Sequence, residues 1–184
     1  MALSKPLVVT AGEPAGIGPE LCNALADTAY RNDVVIVGDR RQIDERLDVV
    51  DVPYPEEVEP GKPSPANAAA LLDGLRAAAQ GCMDGHFAAL VTAPVAKNVI
   101  ADSGVEFTGH TEFLADVCGG ALPVMMLVAD ELRVALATTH VALRDVADAL
   151  LRARGARPAD NRTRRARRSG RQGRGGEWRG AISP

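Results

Sequence analysis

Aromatic residues are scarce, with three Phe, two Tyr and one Trp among 184 residues. A core must therefore rest on Ala, Val and Leu, which pack closely but bury less area per residue. Cysteine is nearly absent too. Cys22, Cys82 and Cys118 are far apart, odd in number and without a CxxC pair. A disulfide framework and a zinc knuckle are excluded, and all three are read as buried small hydrophobes. No apolar run approaches the roughly 18 residues that span a bilayer. The N-terminal apolar run stops at Gly12 and Pro14, too soon for a secretory leader. The expectation is a cytoplasmic chain with no membrane partner.

What is present divides in two. Residues 1–150 hold 10 basic and 22 acidic side chains, whereas 151–184 hold eleven Arg against Asp160 and Glu177. The acidic part has the composition of a globular domain. The Arg/Gly-rich part has little apolar periodicity and cannot offset its ordering entropy, so disorder is expected there. Its arginines could neutralise nucleic-acid phosphates, with steep salt dependence. With one aromatic, Trp178, and no motif, such binding would be nonspecific, and a nucleic-acid partner is not favoured.

The acidic part alternates strand and helix signals. Strands are expected at 6–10, 33–38 and 87–92, each a nearly continuous apolar run. Two more, at 124–128 and 132–137, flank Asp130-Glu131, a tight hairpin connection that could make the sheet mixed. Helices are expected from Pro19 to Tyr30, from Ser64-Pro65 to Ala79, from Val95 to Ala101, from Thr111 to Val117, and from Leu143 onward. Gly81 and Gly85 read as the exit of the second. Thr108 or Thr111 reads as the cap of the fourth, and Asp39 as the cap of a short helix. Residues 51–65, rich in Pro and Glu, read as a surface loop. The pattern predicts an α/β fold with a sheet covered on both faces.

Four segments could carry chemistry. Gly12-Glu-Pro-Ala-Gly-Ile-Gly18 lies between a strand and a helix. Its glycines would let backbone approach an anion, or merely form a tight turn; the spacing matches neither GxGxxG nor a P-loop. In Phe107-Thr-Gly-His-Thr-Glu-Phe113, His110 stands before a helix between hydroxyl residues. It suits a phosphate or carboxylate, or else caps its own helix. His140, in Ala137-Thr-Thr-His140, falls at a strand end, where open α/β sheets bind ligands. It could ligate a metal, yet no set of three ligands is evident, because His86 reads as a solvated turn residue. Lys97 lies past another strand end, and a surface lysine is favoured over a contact to an acidic substrate.

The blocks TAGEPAGIGPE, FAALVTAPVAKNVI, FTGHTEFLAD and VMMLVADELRVALATTHVALRDV, in this order and spacing, resemble the 4-hydroxythreonine-4-phosphate dehydrogenase family of pyridoxal 5'-phosphate biosynthesis. The resemblance covers about 7–150. It implies a three-layer α/β/α fold of the isocitrate/isopropylmalate dehydrogenase type. It also implies NAD- or NADP-dependent oxidation of a phosphorylated hydroxy amino acid to a β-keto acid that decarboxylates. A divalent metal (zinc, magnesium or cobalt) and a homodimer sharing metal ligands across its interface come with it. By motif, His110 and Thr111 match the substrate-contacting pair, and His140 matches the first metal histidine. Relatives acting on sugar-acid phosphates such as threonate or erythronate 4-phosphate share these blocks.

After Leu150 the resemblance stops. Family members continue with a second half that carries two more metal histidines, a lysine, an asparagine and an arginine for substrate, and most of the nucleotide site. A truncated fold over 1–150 and a tail over 151–184 are therefore expected, the tail arising from a reading-frame slip or, alternatively, acquired by a truncated paralogue; a non-catalytic remnant is the competing functional reading. The expected outcome for purified 1–184 is no oxidation of the phosphorylated substrate and no stoichiometric zinc or magnesium. Measurable NADH production would contradict it.

Overall fold

The computed structural model describes residues 4–120, 123–138 and 141–155, with side chains described as far as Leu151. His140 and the segment 156–184 lie outside the described residues. The described part falls into two compact units that divide after Gly120.

The first unit is built on a parallel sheet of β1 (Leu7–Thr10), β2 (Val34–Gly38), β3 (Asp48–Asp51) and β4 (Leu90–Thr92), in the order β3-β2-β1-β4. Registers such as Val9↔Ile36, Val9↔Val91 and Ile36↔Val49 align the apolar residues across it. Successive side chains point to opposite faces. Val9 and Ile36 accordingly join one cluster with Cys22 and Ala26, while Val8 and Val37 join another with Val52, Ala78 and Phe87. The first cluster is closed by α1 (Gly18–Ala24) and the second by α2 (Ala68–Met83). Helices thus cover both faces, which is the expected three-layer α/β arrangement. Each fully buried Val or Ile contributes about 1.5–3 kcal/mol relative to exposure.

Several expectations need correction. The helix from Pro19 gives way after Ala24 to a 3-10 turn, Leu25–Asp27. Thr28 stops it, donating its hydroxyl to Leu25 O at 2.8 Å and accepting from Tyr30 N at 3.2 Å. β3 was not expected: its Asp-Val-Val-Asp core is too short to show a period, and Asp48 and Asp51 keep the sheet edge charged. The four-stranded sheet is wholly parallel rather than mixed. Of the cysteines, Cys22 is buried, Cys82 is intermediate and Cys118 is exposed.

Ser64 caps as expected, accepting from Ala66 N, but one 3-10 turn precedes α2. Gly81 is not the helix exit. It lies inside α2, where a Cβ would stand 2.5 Å from Phe87 Cε2. Glycine there lets the Phe87 ring, 8 % exposed, press against the helix backbone. The exit is Gly85, at φ 77°.

In the second unit, β5 (Met126–Ala129) and β6 (Leu132–Ala135) form the expected antiparallel hairpin, with Asp130 at a positive φ of 48° in its turn. α5 (Val146–Gly155) follows and continues past Leu150. None of the described helices is long and apolar enough to cross a membrane.

The Gly81→Ala variant is expected to lose about 1–3 kcal/mol, because the added methyl meets a ring that cannot retreat. Urea unfolding checks this, and a variant as stable as the parent would contradict it.

Candidate functional site

The strand order reverses at β1. β2 and β3 were added on one side of it through α1, and β4 on the other through α2. Connections leaving such a reversal in opposite directions open a crevice at the carboxyl ends of the strands. A crevice is found there, lined by Thr10 at the end of β1, Gly12 after it, Val37 and Gly38 of β2, Tyr54, and His110.

His110 is the first residue of α4 (His110–Val117), which packs on α2. α4 has Gly109 as its N-cap and no side-chain cap bond, so neither Thr108 nor Thr111 caps it and His110 does not cap itself. The His110 ring meets Phe107 edge-on, at 5.9 Å and 81°. Among the described residues its Nε2 is buried and has no hydrogen-bond partner. Burial first, and then the nearby Lys97 charge, hold the imidazole below its usual pKa. His110 thus contributes a ring of lowered proton affinity to the crevice wall, with a buried nitrogen able to exchange a hydrogen bond. The first turn of α4 adds a partial positive field that favours an anion.

Thr111, the next residue, is exposed and does not line the crevice. Lys97 opens α3 (Lys97–Asp102), is exposed, and donates to Thr108 O at 3.3 Å. His86 is exposed, beyond α2. Among the described residues no three His, Cys, Asp or Glu side chains converge on a metal position. The donors present do not by themselves fit a metal ion, and His140 lies outside the described residues.

The glycine loop is accounted for by the protein's own backbone. A Cβ on Gly12, at φ 71°, would stand 2.3 Å from Pro94 O, and one on Gly18 would stand 1.8 Å from Ala11 O. Glu13 N donates to Pro94 O at 2.9 Å and locks the loop to the segment after β4. These contacts are those of a tight turn, and Gly12 also reaches the crevice as part of its wall.

Tyr54 was missed, since 51–65 read as a surface loop. It is instead 6 % exposed. Asp39 places it. As expected, Asp39 caps the turn Arg40–Gln42 by accepting from Arg41 N, and it also accepts from Tyr54 N at 3.0 Å and pairs with the Arg41 guanidinium. A signal was available: an apolar Val52-x-Tyr54 alternation holding one of only two tyrosines in the sequence. Burial, together with the Glu13 and Asp39 charges, pushes the Tyr54 phenol up, so it stays protonated.

A family model described as pyridoxal phosphate biosynthetic protein PdxA matches residues 7–170. The chain belongs to this family. The 4-hydroxythreonine-4-phosphate dehydrogenase of Pseudomonas aeruginosa is 44% identical over 184 aligned residues, covering 85% of this chain and 56% of the relative. That of Pseudomonas putida is 45% identical over 179, covering 82% and 54%. The crystal structure of the Klebsiella pneumoniae enzyme of the same name superposes with a TM-score of 0.70 at 30% identity, covering 80% and 54%. The chain spans about half the length of the curated relatives it matches. The matched span reaches into the arginine-rich segment.

The Arg41 pair, with the two backbone donors, holds Asp39 at about 2, below its ordinary 3.8. A depressed carboxyl stabilises the fold above its unfolded pKa, and that contribution is lost as pH falls through the folded value. Because Arg41 is 65% exposed, the contribution is about 1–2 kcal/mol at neutral pH. Asp39→Asn should cost that amount at pH 7, with the gap from the parent closing between about pH 4 and pH 2. A gap independent of pH, by chemical denaturation, would contradict the assignment.

Proposed function

We propose that the chain forms the substrate-facing N-terminal part of an NAD(P)-dependent dehydrogenase that oxidises 4-phosphooxy-L-threonine. A bound nicotinamide would supply the hydride acceptor for the alcohol, whose hydroxyl proton would pass to solvent, leaving a β-keto acid. That acid releases carbon dioxide and gives 3-amino-2-oxopropyl phosphate, towards pyridoxal 5'-phosphate. In this reading His110 and Thr111 contact the substrate, His140 is a ligand of a divalent metal, and two copies form a homodimer. Membership of the family and the names of the relatives support the activity.

The observation that carries the reading is the buried, unpartnered His110 Nε2. Leaving a buried polar atom unpaired costs about 1–3 kcal/mol. A ligand that supplies the partner recovers that cost as affinity. The ring's low proton affinity keeps it able to accept or donate one hydrogen bond without carrying charge. Tyr54 and Thr10 line the same crevice among mostly apolar residues, a composition that suits a small polar ligand.

Adding 4-phosphooxy-L-threonine to the 184-residue chain should shift the His110 Cε1–H resonance, which His110→Gln assigns. Unphosphorylated L-threonine should act at least about tenfold more weakly, the worth of one charge-assisted bond. An unmoved resonance at millimolar phosphorylated ligand would overturn the proposal.

A further inference from the structure

Lys97 does more than decorate the surface of α3. Its Nζ reaches across to the turn before α4 and donates to Thr108 O at 3.3 Å. The same atom lies 3.2 Å from the position a Cβ would take on Gly109, and Glu112 Oε2 lies 3.1 Å from it. The ammonium and the carboxylate thus flank Gly109, yet among the described residues Lys97 forms no ion pair. The turn they flank has no side-chain cap of its own. Whatever fixes the entry to α4 also fixes His110, the helix's first residue.

We propose that Lys97 is a positioning residue: its ammonium ties α3 to the Thr108–Gly109 turn and so aims His110 Nε2 into the crevice. The proposal rests on the reading of His110 as a substrate contact, and it deepens that reading by naming what holds the contact in place. The groups that face or neighbour His110 are few. Lys97 comes from α3 and Glu112 from the ring's own helix. Arg76 of α2 lies over the adjacent Phe113 ring at 5.1 Å, and Tyr54 comes from the loop after β3, with Glu13 beyond it. After burial itself, Lys97 is the group that lowers the proton affinity of His110. A lysine suits both tasks. Its stem spans from α3 to the turn, and its charge opposes protonation of the ring it positions.

The test is a pH titration of the His110 Cε1–H resonance in the ligand-free 184-residue chain, comparing the parent with Lys97→Met, Lys97→Gln and Lys97→Arg. Lys97 is exposed, so these changes leave the core intact. Removing the charge should raise the His110 midpoint by about half a pH unit or more, and arginine should keep the parent value. The amide signals of Thr108 and Gly109 should move in the Met and Gln variants. An unchanged midpoint in both, or an equal shift in the Arg variant, would overturn the positioning role. No ligand is present, so this outcome is separable from failure of the substrate reading, which the ligand titration alone decides.

Discussion

Strand β1 is the constraint on which the rest of the first unit depends. It lies between β2 and β4 and is buried on both sides: Val8 is 0% exposed and Val9 8%. Val8 faces the α2 cluster and Val9 the α1 cluster, so one dipeptide ties the two helical layers together. The strand order reverses at the same place, so the chain leaves the sheet in both directions and the crevice opens there. Packing and site are consequences of one topological fact.

The site is assembled by small restraints rather than by a large preformed charge array. Only glycine fits at position 12, because Pro94 O stands where a side chain would be. Asp39 sacrifices exposure to fold Tyr54 inward, and Lys97 spans to the turn at α4. Each restraint is modest alone. Around the crevice they shape stands His110, whose Nε2 has no hydrogen-bond partner among the described residues. Protein interiors leave few such atoms unpaired, and a catalytic or binding role is one reason for keeping one.

Much of this was legible in the sequence. Continuous apolar runs gave β1 and β2, and Asp39 and Ser64 were legible as caps because short polar side chains before a turn have little else to do. His110 stood out as a histidine between hydroxyls and glycine before a helix. What was not legible depends on contacts distant in sequence. Gly81 looks like a stop signal until Phe87 is seen against it. Tyr54 sits in a Pro- and Glu-rich stretch whose local pattern says surface, and it turns inward through backbone hydrogen bonds to Asp39 and Arg41 and packing against residues such as Leu71 and Leu75. β3 has two valines between aspartates and becomes a strand by pairing with β2. That His110 Nε2 lacks a partner is a property of the folded neighbourhood, and no spacing rule reports it.

The central claim is that His110 Nε2 is the protein's half of a ligand contact at the β1 switch point. The most direct measurement is a crystal structure of the chain with 4-phosphooxy-L-threonine. The account predicts a ligand oxygen or nitrogen within hydrogen-bond distance of Nε2, lying against Thr10, Gly12 and Tyr54. Ligand bound elsewhere, with Nε2 paired to a protein group, would contradict it.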